Sequence, residues 1–314
     1  MPDEVFKLFN LRYLNLRGTL LKKLPNSIGR LLNLQTLDIR DTEIKALPRG
    51  IGNLQSLRHL IMYSITRNWK DFRYFTGMQI PPNIGRLKNL QTVGIVDAEG
   101  DFIRQIRSME QLNSIGISNV KEADEKDLCV SIENMRHLRV LTIVVTNDGE
   151  TLQMDALSSP PPNLRKLFLT GKLKKVPQWF CSLQCLTNLL LRWSRLEEDL
   201  LPHIAALPCL GHLLLTDAYV GKQLCFNTGF LKLTRLEIRN FPQLNEIIIE
   251  KGVMSNLKNL RIDNCMELKA MPMGIEYLLN LQELRLKSVS MELENRIGNE
   301  DLPKVQHIPK RYIW

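Results

Sequence analysis

Aliphatic residues recur along this chain as Leu-x-x-Leu-x-[Leu/Ile/Val], with the motif opening at Leu11, Leu34, Leu57, Leu90, Leu112, Leu138, Leu164, Leu186, Leu210, Leu233, Leu257 and Leu281. Successive openings lie 23, 23, 33, 22, 26, 26, 22, 24, 23, 24 and 24 residues apart. Within each motif, apolar positions alternate with variable ones, which predicts a short strand with one face buried. Between motifs, stretches such as LKKLPNSIGRL return the chain on the far side. Pro25, Pro48, Pro81, Pro177 and Pro272 sit in those returns, where a continued helix or strand ladder is unwanted. Sliding residues 8–30 forward by 23 superposes 11 identical residues, among them Leu24-Pro25 on Leu47-Pro48. Such copying is the signature of a repeat architecture. One unit cannot bury its own apolar side, so the pattern predicts about twelve parallel rungs, roughly 4.8 Å apart, that share one core.

This pattern is similar to that of leucine-rich repeats. The fold it implies is an α/β solenoid, a horseshoe with a concave parallel β-sheet and an irregular or helical convex side. Thr19, Thr42 and Cys265 follow the strand where repeats of this kind use Asn, Cys or Thr to satisfy backbone groups. Residues 119–135 predict a short amphipathic helix on the outer side, capped by Asn119 and Glu122, with Leu128, Ile132 and Met135 packed inward. The expected organisation is a single domain over 1–314, with repeats over about 8–290 and a C-terminal cap at 291–314. In repeat three, an insertion over about 64–79 delays the next turn by ten residues. Its Arg67, Trp69, Lys70, Phe72, Arg73, Tyr74 and Phe75 suit a surface loop folded onto the solenoid, a protein contact or a nucleic-acid grip.

Composition narrows the picture. The 314 residues are 44% hydrophobic and 24% charged, as in folded proteins. No apolar run approaches the ~20 residues that cross a bilayer, and the start MPDEVFKLFN lacks the features of a secretory signal. Six cysteines are spread over 129, 181, 185, 209, 225 and 265. Only Cys181 and Cys185 are close in sequence, with no spacing that would complete a zinc site, so all six are expected to be reduced structural thiols. No Asn begins a glycosylation sequon, which fits a reducing cytoplasm. The net charge of +9 falls in residues 1–96, with 15 Lys and Arg against 6 Asp and Glu, while residues 97–314 hold 27 of each. Such asymmetry concerns partners: an acidic neighbouring domain, an acidic membrane surface or nucleic acid.

Catalytic motifs are absent. There is no phosphate loop, metalloprotease, nucleophile-elbow or kinase signature, and His59, His137, His203, His212 and His307 are scattered. Glu197, Glu198 and Asp199 precede an outer segment, where carboxylates favour a helix start. Neither enzyme chemistry, metal nor cofactor is expected. The chain should bind through the residues between the leucines, on the strand face. In-register stacking gives a middle column of Asn15, Asp38, Ile61, Gly94, Gly116, Thr142, Phe168, Leu190, Leu214, Glu237, Arg261 and Glu283. Phe168, Leu190 and Leu214 interrupt its polarity, with Val140, Val144, Trp193 and His212 at their border. Beyond them Arg235, Glu237, Arg239, Arg261, Asp263, Arg285 and Lys287 make a mixed-charge field, and Arg192 joins the candidate partner contacts. An apolar patch rimmed by charge marks a protein contact, with drift of register in the looser repeats as the competing reading. Arg12, Arg17, Arg40, Arg67, Lys70 and Arg73 form a basic region suited to a neighbouring domain or partner.

Several phrases carry a closer resemblance: PDEVFKLFNLRYLNLRGT, LPNSIGRLLNLQTLDIRDTEIKALPRGI, GRLKNLQTVGIVDA, SIENMRHLRVL, PPPNLRKLFLTGKLKKVPQW and the ending KVQHIPKRYIW. They resemble the leucine-rich-repeat part of plant intracellular nucleotide-binding disease-resistance receptors of the coiled-coil class. The resemblance implies recognition of a pathogen effector, directly or through a guarded host protein, and restraint of a nucleotide-binding switch by the early repeats. No coiled coil, phosphate loop or switch motif precedes Met1, so nucleotide binding is not carried over. The expectation is a fragment, a truncated paralogue or an isolated domain with an apolar first repeat open to self-association. The alternative is an intracellular leucine-rich scaffold that bridges signalling proteins. Nucleic-acid binding through the basic third is a further class, marked by affinity that falls steeply with salt.

Overall fold

A computed structural model describes residues 2–66 and 68–314. The chain forms two compact units, Met1–Leu164 and Arg165–Trp314. In the first, β1 (Tyr13–Asn15), β2 (Thr36–Asp38) and β3 (His59–Ile61) are followed by a small hairpin of β4 (Ser64–Ile65) and β5 (Phe75–Thr76). Then come β6 (Thr92–Asp97), α1 (Phe102–Ile106), β7 (Ser114–Val120), α2 (Glu125–Glu133) and β8 (Val140–Val145). The ladder runs β1-β2-β3-β6-β7-β8, parallel throughout. The hairpin is antiparallel and occupies the insertion.

The second unit starts with β9 (Lys166–Thr170), β10 (Asn188–Arg192), α3 (Leu201–Ile204), β11 (His212–Thr216) and β12 (Gln223–Phe226). It continues through β13 (Arg235–Arg239), β14 (Glu246–Ile249), β15 (Asn259–Cys265) and β16 (Glu283–Val289) to α4 (Met291–Gly298), α5 (Leu302–Val305) and β17 (Lys310–Ile313). Its parallel ladder is β9-β10-β11-β13-β15-β16-β17, while β12 and β14 pair separately in parallel. The ladder therefore gains a rung beyond the last motif. After α4 and α5, the ending KRYI adds β17 to β16.

The motif leucines are the core. Leu37, Leu60, Leu189, Leu213, Leu236 and Leu284 have no exposed surface, whereas Leu14, with a neighbouring rung on one side, is half-buried. Rung covers rung, and each full burial contributes about 1.5–3 kcal/mol. The returns are short 3₁₀ turns, Asn26–Arg30, Arg49–Asn53, Gln178–Ser182 and Ile275–Tyr277 among them. Each starts at a proline carbonyl: Ile28, Ile51, Phe180 and Ile275 donate to Pro25, Pro48, Pro177 and Pro272 at 3.0–3.2 Å. Proline lacks the N–H that the turn does not use, and its fixed φ sets the entry. Thr19 and Thr42 donate their hydroxyls to the carbonyls of Leu16 and Ile39 at 2.7 and 2.9 Å, closing the turn after the strand. Among the described residues, no helix is long and apolar enough to cross a membrane.

Three details depart from the sequence reading. Gly94 forms a bulge, so Gly116 pairs with Ile95 rather than with Gly94. A Cβ on Gly94 would lie 1.8 Å from the Met62 carbonyl oxygen, and only glycine lets the two backbones approach so closely. In the rung that opens at Leu281, the middle-column residue is Arg285, which pairs with Arg261, while Glu283 pairs with Asn259. Glu283 lies two residues earlier on the same face, in the flanking column with Asn259. Finally, Asn119 has left-handed φ at the end of β7, and the cap before α2 is made elsewhere. The Lys121 N–H donates to the Asp124 carboxylate at 3.0 Å. Leu128, Ile132 and Met135 are buried.

Urea denaturation followed by circular dichroism tests this packing. Leu189→Ala should cost about 2–5 kcal/mol, and Gly94→Ala about 1–3 kcal/mol through overpacking. Leu279→Ala, at a residue 79% exposed, should fall within about 0.5 kcal/mol of the parent. Equal losses at Leu189 and Leu279 would contradict the assignment of the core.

Candidate functional site: the strand face of the second unit

Register fixes what each strand presents. The outward residues of β9, β10, β11, β13, β15, β16 and β17 form three columns. The middle one reads Phe168, Leu190, Leu214, Glu237, Arg261, Arg285 and Tyr312, from apolar through charged to aromatic. On either side stand Lys166, Asn188, His212, Arg235, Asn259, Glu283 and Lys310, and Thr170, Arg192, Thr216, Arg239, Asp263 and Lys287. Eight cations face three carboxylates. The charge balance over 97–314 thus conceals a division, since residues 97–164 hold 6 Lys and Arg against 12 Asp and Glu, and residues 165–314 hold 21 against 15.

The expected site residues do meet on one face but differ in access. Phe168, Leu190, Trp193, His212, Arg239 and Arg261 are half-buried, and Arg235 and Arg285 are exposed. Arg192, Leu214 and Glu237 are buried, at 5%, 7% and 1% exposure, and serve the face from beneath.

Glu237 is the electrostatic centre. Its carboxylate accepts from Arg235 Nε at 2.6 Å, from Arg239 Nη2, and from His212 Nε2 at 3.1 Å. Because a carboxylate only accepts, His212 carries its hydrogen on Nε2, leaving Nδ1 to take the Asn188 amide at 3.3 Å. Thr187 in turn donates to the Asn188 side-chain oxygen Oδ1 at 2.8 Å. Burial alone would raise the Glu237 carboxyl. The His212 hydrogen bond and the charges of Arg239 and Arg235 outweigh it and bring the pKa to about 2. Farther along, Arg261 Nη2 binds Asp263 at 2.9 Å, Arg285 binds Glu283 and lies 5.3 Å from the Tyr312 ring centre. Arg235, Glu237, Asn259, Arg261, Glu283 and Arg285 line a hollow of about 250 Å³.

Trp193 stands out on backbone grounds. It follows β10 with φ 57°, a left-handed conformation. Asp217, Asn240, Asn264 and Ser288 occupy the equivalent place in later rungs with φ 47–58°. Small polar residues tolerate that region, and bulky aromatics rarely adopt it. Its ring lies 5.0 Å from the Arg195 guanidinium carbon, and Arg195 is itself held by Asp217 at 2.8 Å. Strain of this kind, of order 1–3 kcal/mol, gathers where function requires it.

In the first unit the basic residues do not converge. Arg40 grips Asp38 through both oxygens, with Nη2–Oδ2 at 2.6 Å, and this hydrogen-bonded pairing lowers the Asp38 carboxyl and raises the guanidinium. Arg17 Nε binds Asp41 at 3.1 Å, and Arg12 is exposed beside β1. Lys70 lies 5.8 Å from the Trp69 ring centre, and Arg73 is exposed in the hairpin. Arg67 lies outside the described residues. The aromatics Trp69, Phe72, Tyr74 and Phe75 are half-buried, and Val144 is buried beside the hairpin. Among the described residues no group of three His, Cys, Asp or Glu is placed to hold a metal ion.

The geometry has clear relatives. The leucine-rich repeat region family matches residues 2–302. The disease resistance protein RPM1 of Arabidopsis thaliana is 39% identical over 260 residues, covering 81% of this chain and 28% of that protein. The disease resistance protein RPP8 of Arabidopsis thaliana is 29% identical over 234 residues, covering 72% of this chain and 26% of its own. The chain therefore spans little more than a quarter of the length of these relatives. Among solved structures, a leucine-rich-repeat protein of Leptospira interrogans superposes with a TM-score of 0.58 at 24% identity, over 97% of this chain and 79% of that one, a likeness of fold alone.

Acid titration probes the Glu237 cluster. Its depressed pKa contributes stability that is complete above the ordinary carboxylate range, near pH 4.5, and lost as pH falls toward about 2. Thermal melts should show Glu237→Gln about 3 kcal/mol less stable at pH 7, with the gap closing near pH 2. Curves that stay parallel across that window would remove Glu237 from its central role.

Proposed function

The chain belongs to the leucine-rich repeat region family, and on that premise we propose that it serves plant defence as a non-enzymatic protein-recognition segment. In this reading the strand face of the second unit contacts a pathogen effector or a guarded host protein. The first unit, with its exposed Arg12 and Arg73, contacts and restrains a nucleotide-binding switch within a longer receptor, and the protein works in the cytoplasm. The similarity to RPM1 and RPP8 supports the defence assignment.

One observation carries the binding surface: Phe168, Leu190 and Leu214 share a register with Arg261 and Arg285, and strained Trp193 stands beside them. Aromatic and arginine side chains dominate interface energetics, because they combine large buried area with directional hydrogen bonding. A partner that covers the apolar end and offers carboxylates to the arginines meets both demands. The insertion hairpin has its aromatics half-buried on the first unit, which favours a scaffold role there over a nucleic-acid grip. A scaffold that bridges signalling proteins is the second reading, and it shares the same face.

Trp193→Asn separates binding from folding. Asparagine relieves the left-handed strain, so thermal stability should hold or rise, while partner binding falls by more than ~2 kcal/mol, as it should for Phe168→Ala. Affinity is read by titration calorimetry against the effector or guarded protein to which the full receptor responds. Unchanged affinity in both variants would refute the face, and a core-like loss of stability in Phe168→Ala would reassign that side chain to packing. Charge reversal at Arg12 and Arg73 in the full receptor should cause response without a pathogen signal, and silence there would refute the restraint.

A further inference from the structure

The residue just before the first leucine of a rung sits in a tight turn close to its counterpart one rung back. Asn33, Asn89, Asn256 and Asn280 hold this position. Each sends its amide across to a backbone carbonyl of the previous rung, at Phe9, Gln55, Leu231 and Ser255, over 2.7–2.9 Å. In two consecutive rungs of the second unit, the position is cysteine instead. Cys185 precedes Leu186 and Cys209 precedes Leu210, and both are exposed free thiols. They are in register: each lies three residues before a strand residue, and those residues, Asn188 and His212, are Cα partners in the ladder.

Neighbouring parallel strands lie ~4.8 Å apart, and a disulfide needs Cα atoms about 4.4–6.8 Å apart. A position from which a short asparagine side chain reaches the previous rung is one from which two cysteines reach each other. We propose that Cys185 and Cys209 form an oxidisable dithiol that closes into a disulfide across the two rungs when it meets a hydroperoxide.

The chemistry balances. The thiolate of one cysteine attacks a peroxide oxygen, the O–O bond breaks, an S–O bond forms, and the departing hydroxide or alkoxide takes a proton. The second thiolate then attacks the sulfenic sulfur, the S–S bond forms, the S–O bond breaks, and hydroxide leaves as water. The two sulfurs lose two electrons and the peroxide gains them. The bond ties β10 to β11, the rungs that carry Leu190, Trp193 and Leu214, so oxidation fixes the apolar end of the strand face. This consequence rests on the proposed binding face, whereas the disulfide itself does not. Cys181 is a built-in comparison, being exposed in the same outer turn as Cys185 with its thiol donating to the Gln178 carbonyl at 3.0 Å.

The test treats the full chain with hydrogen peroxide and maps tryptic peptides without reduction. A cross-link between residues 176–192 and 196–222 should form in the parent and in Cys181→Ser. It should be lost in Cys185→Ser and in Cys209→Ser, and dithiothreitol should reverse it together with a rise in melting temperature. Persistence of the cross-link in Cys185→Ser would overturn the pairing, as would Cys181→Ser giving only intermolecular dimers or sulfinic acids. These side chains are exposed, so the serine variants fold, which their reduced-state melts verify. Partner affinity of the oxidised chain is measured separately and bears only on the binding face.

Discussion

A single rung of this protein cannot bury its own apolar side, and its neighbour's apolar side covers it. That mutual covering sets the register, because a slip by one residue would turn Leu189, Leu213 and Leu236 to solvent and put Leu190, Leu214 and Glu237 in the core. The backbone ladder follows the same requirement within each unit, where paired rungs exchange backbone hydrogen bonds. Leu14 shows the rule by its shortfall: it has a rung on one side and is covered to match.

A fixed register makes the outward residues additive in space. Residues 22–24 apart in sequence become neighbours, so a charge or ring placed once per repeat becomes a column. The Glu237 cluster is built this way. His212 and Arg235 come from two rungs of one column and converge on a carboxylate in the next, with Asn188 of a third rung bracing His212 and Arg239 closing the carboxylate from the other side. Burying that carboxylate is tolerable only because its acceptor sites are filled by donors, two of them cationic. The arginines nearby are therefore held in place rather than swinging freely, which lowers the entropy lost when a partner binds.

The same logic governs departures from regularity. Gly94 lets β6 approach Met62 and bulge in the rung that follows the insertion hairpin. Trp193 places an aromatic where other rungs keep Asp, Asn or Ser. Both break the local rule at a point where the stack supplies the support. Rule-breaking residues that persist in a well-supported frame are where function is to be sought.

The periodic leucines and the prolines determined the parallel rungs, the buried face and the 3₁₀ returns, since period and φ restriction are local properties that a chain carries unfolded. The outward alternation also made most of the middle column legible, and the equivalence of Trp193 to Asp217 and Asn240 was there to be read by aligning repeats. Tertiary structure alone decided the rest. The bulge at Gly94, the extra rung from KRYI, the burial of Leu214 and Arg192, and the gathering of donors on Glu237 depend on distances between rungs. The register of Cys185 was hidden for the same reason: its sequence neighbour is Cys181, but its counterpart one rung on is 24 positions away. Spacing along a chain records what one turn can reach, and only stacking brings the next turn to it.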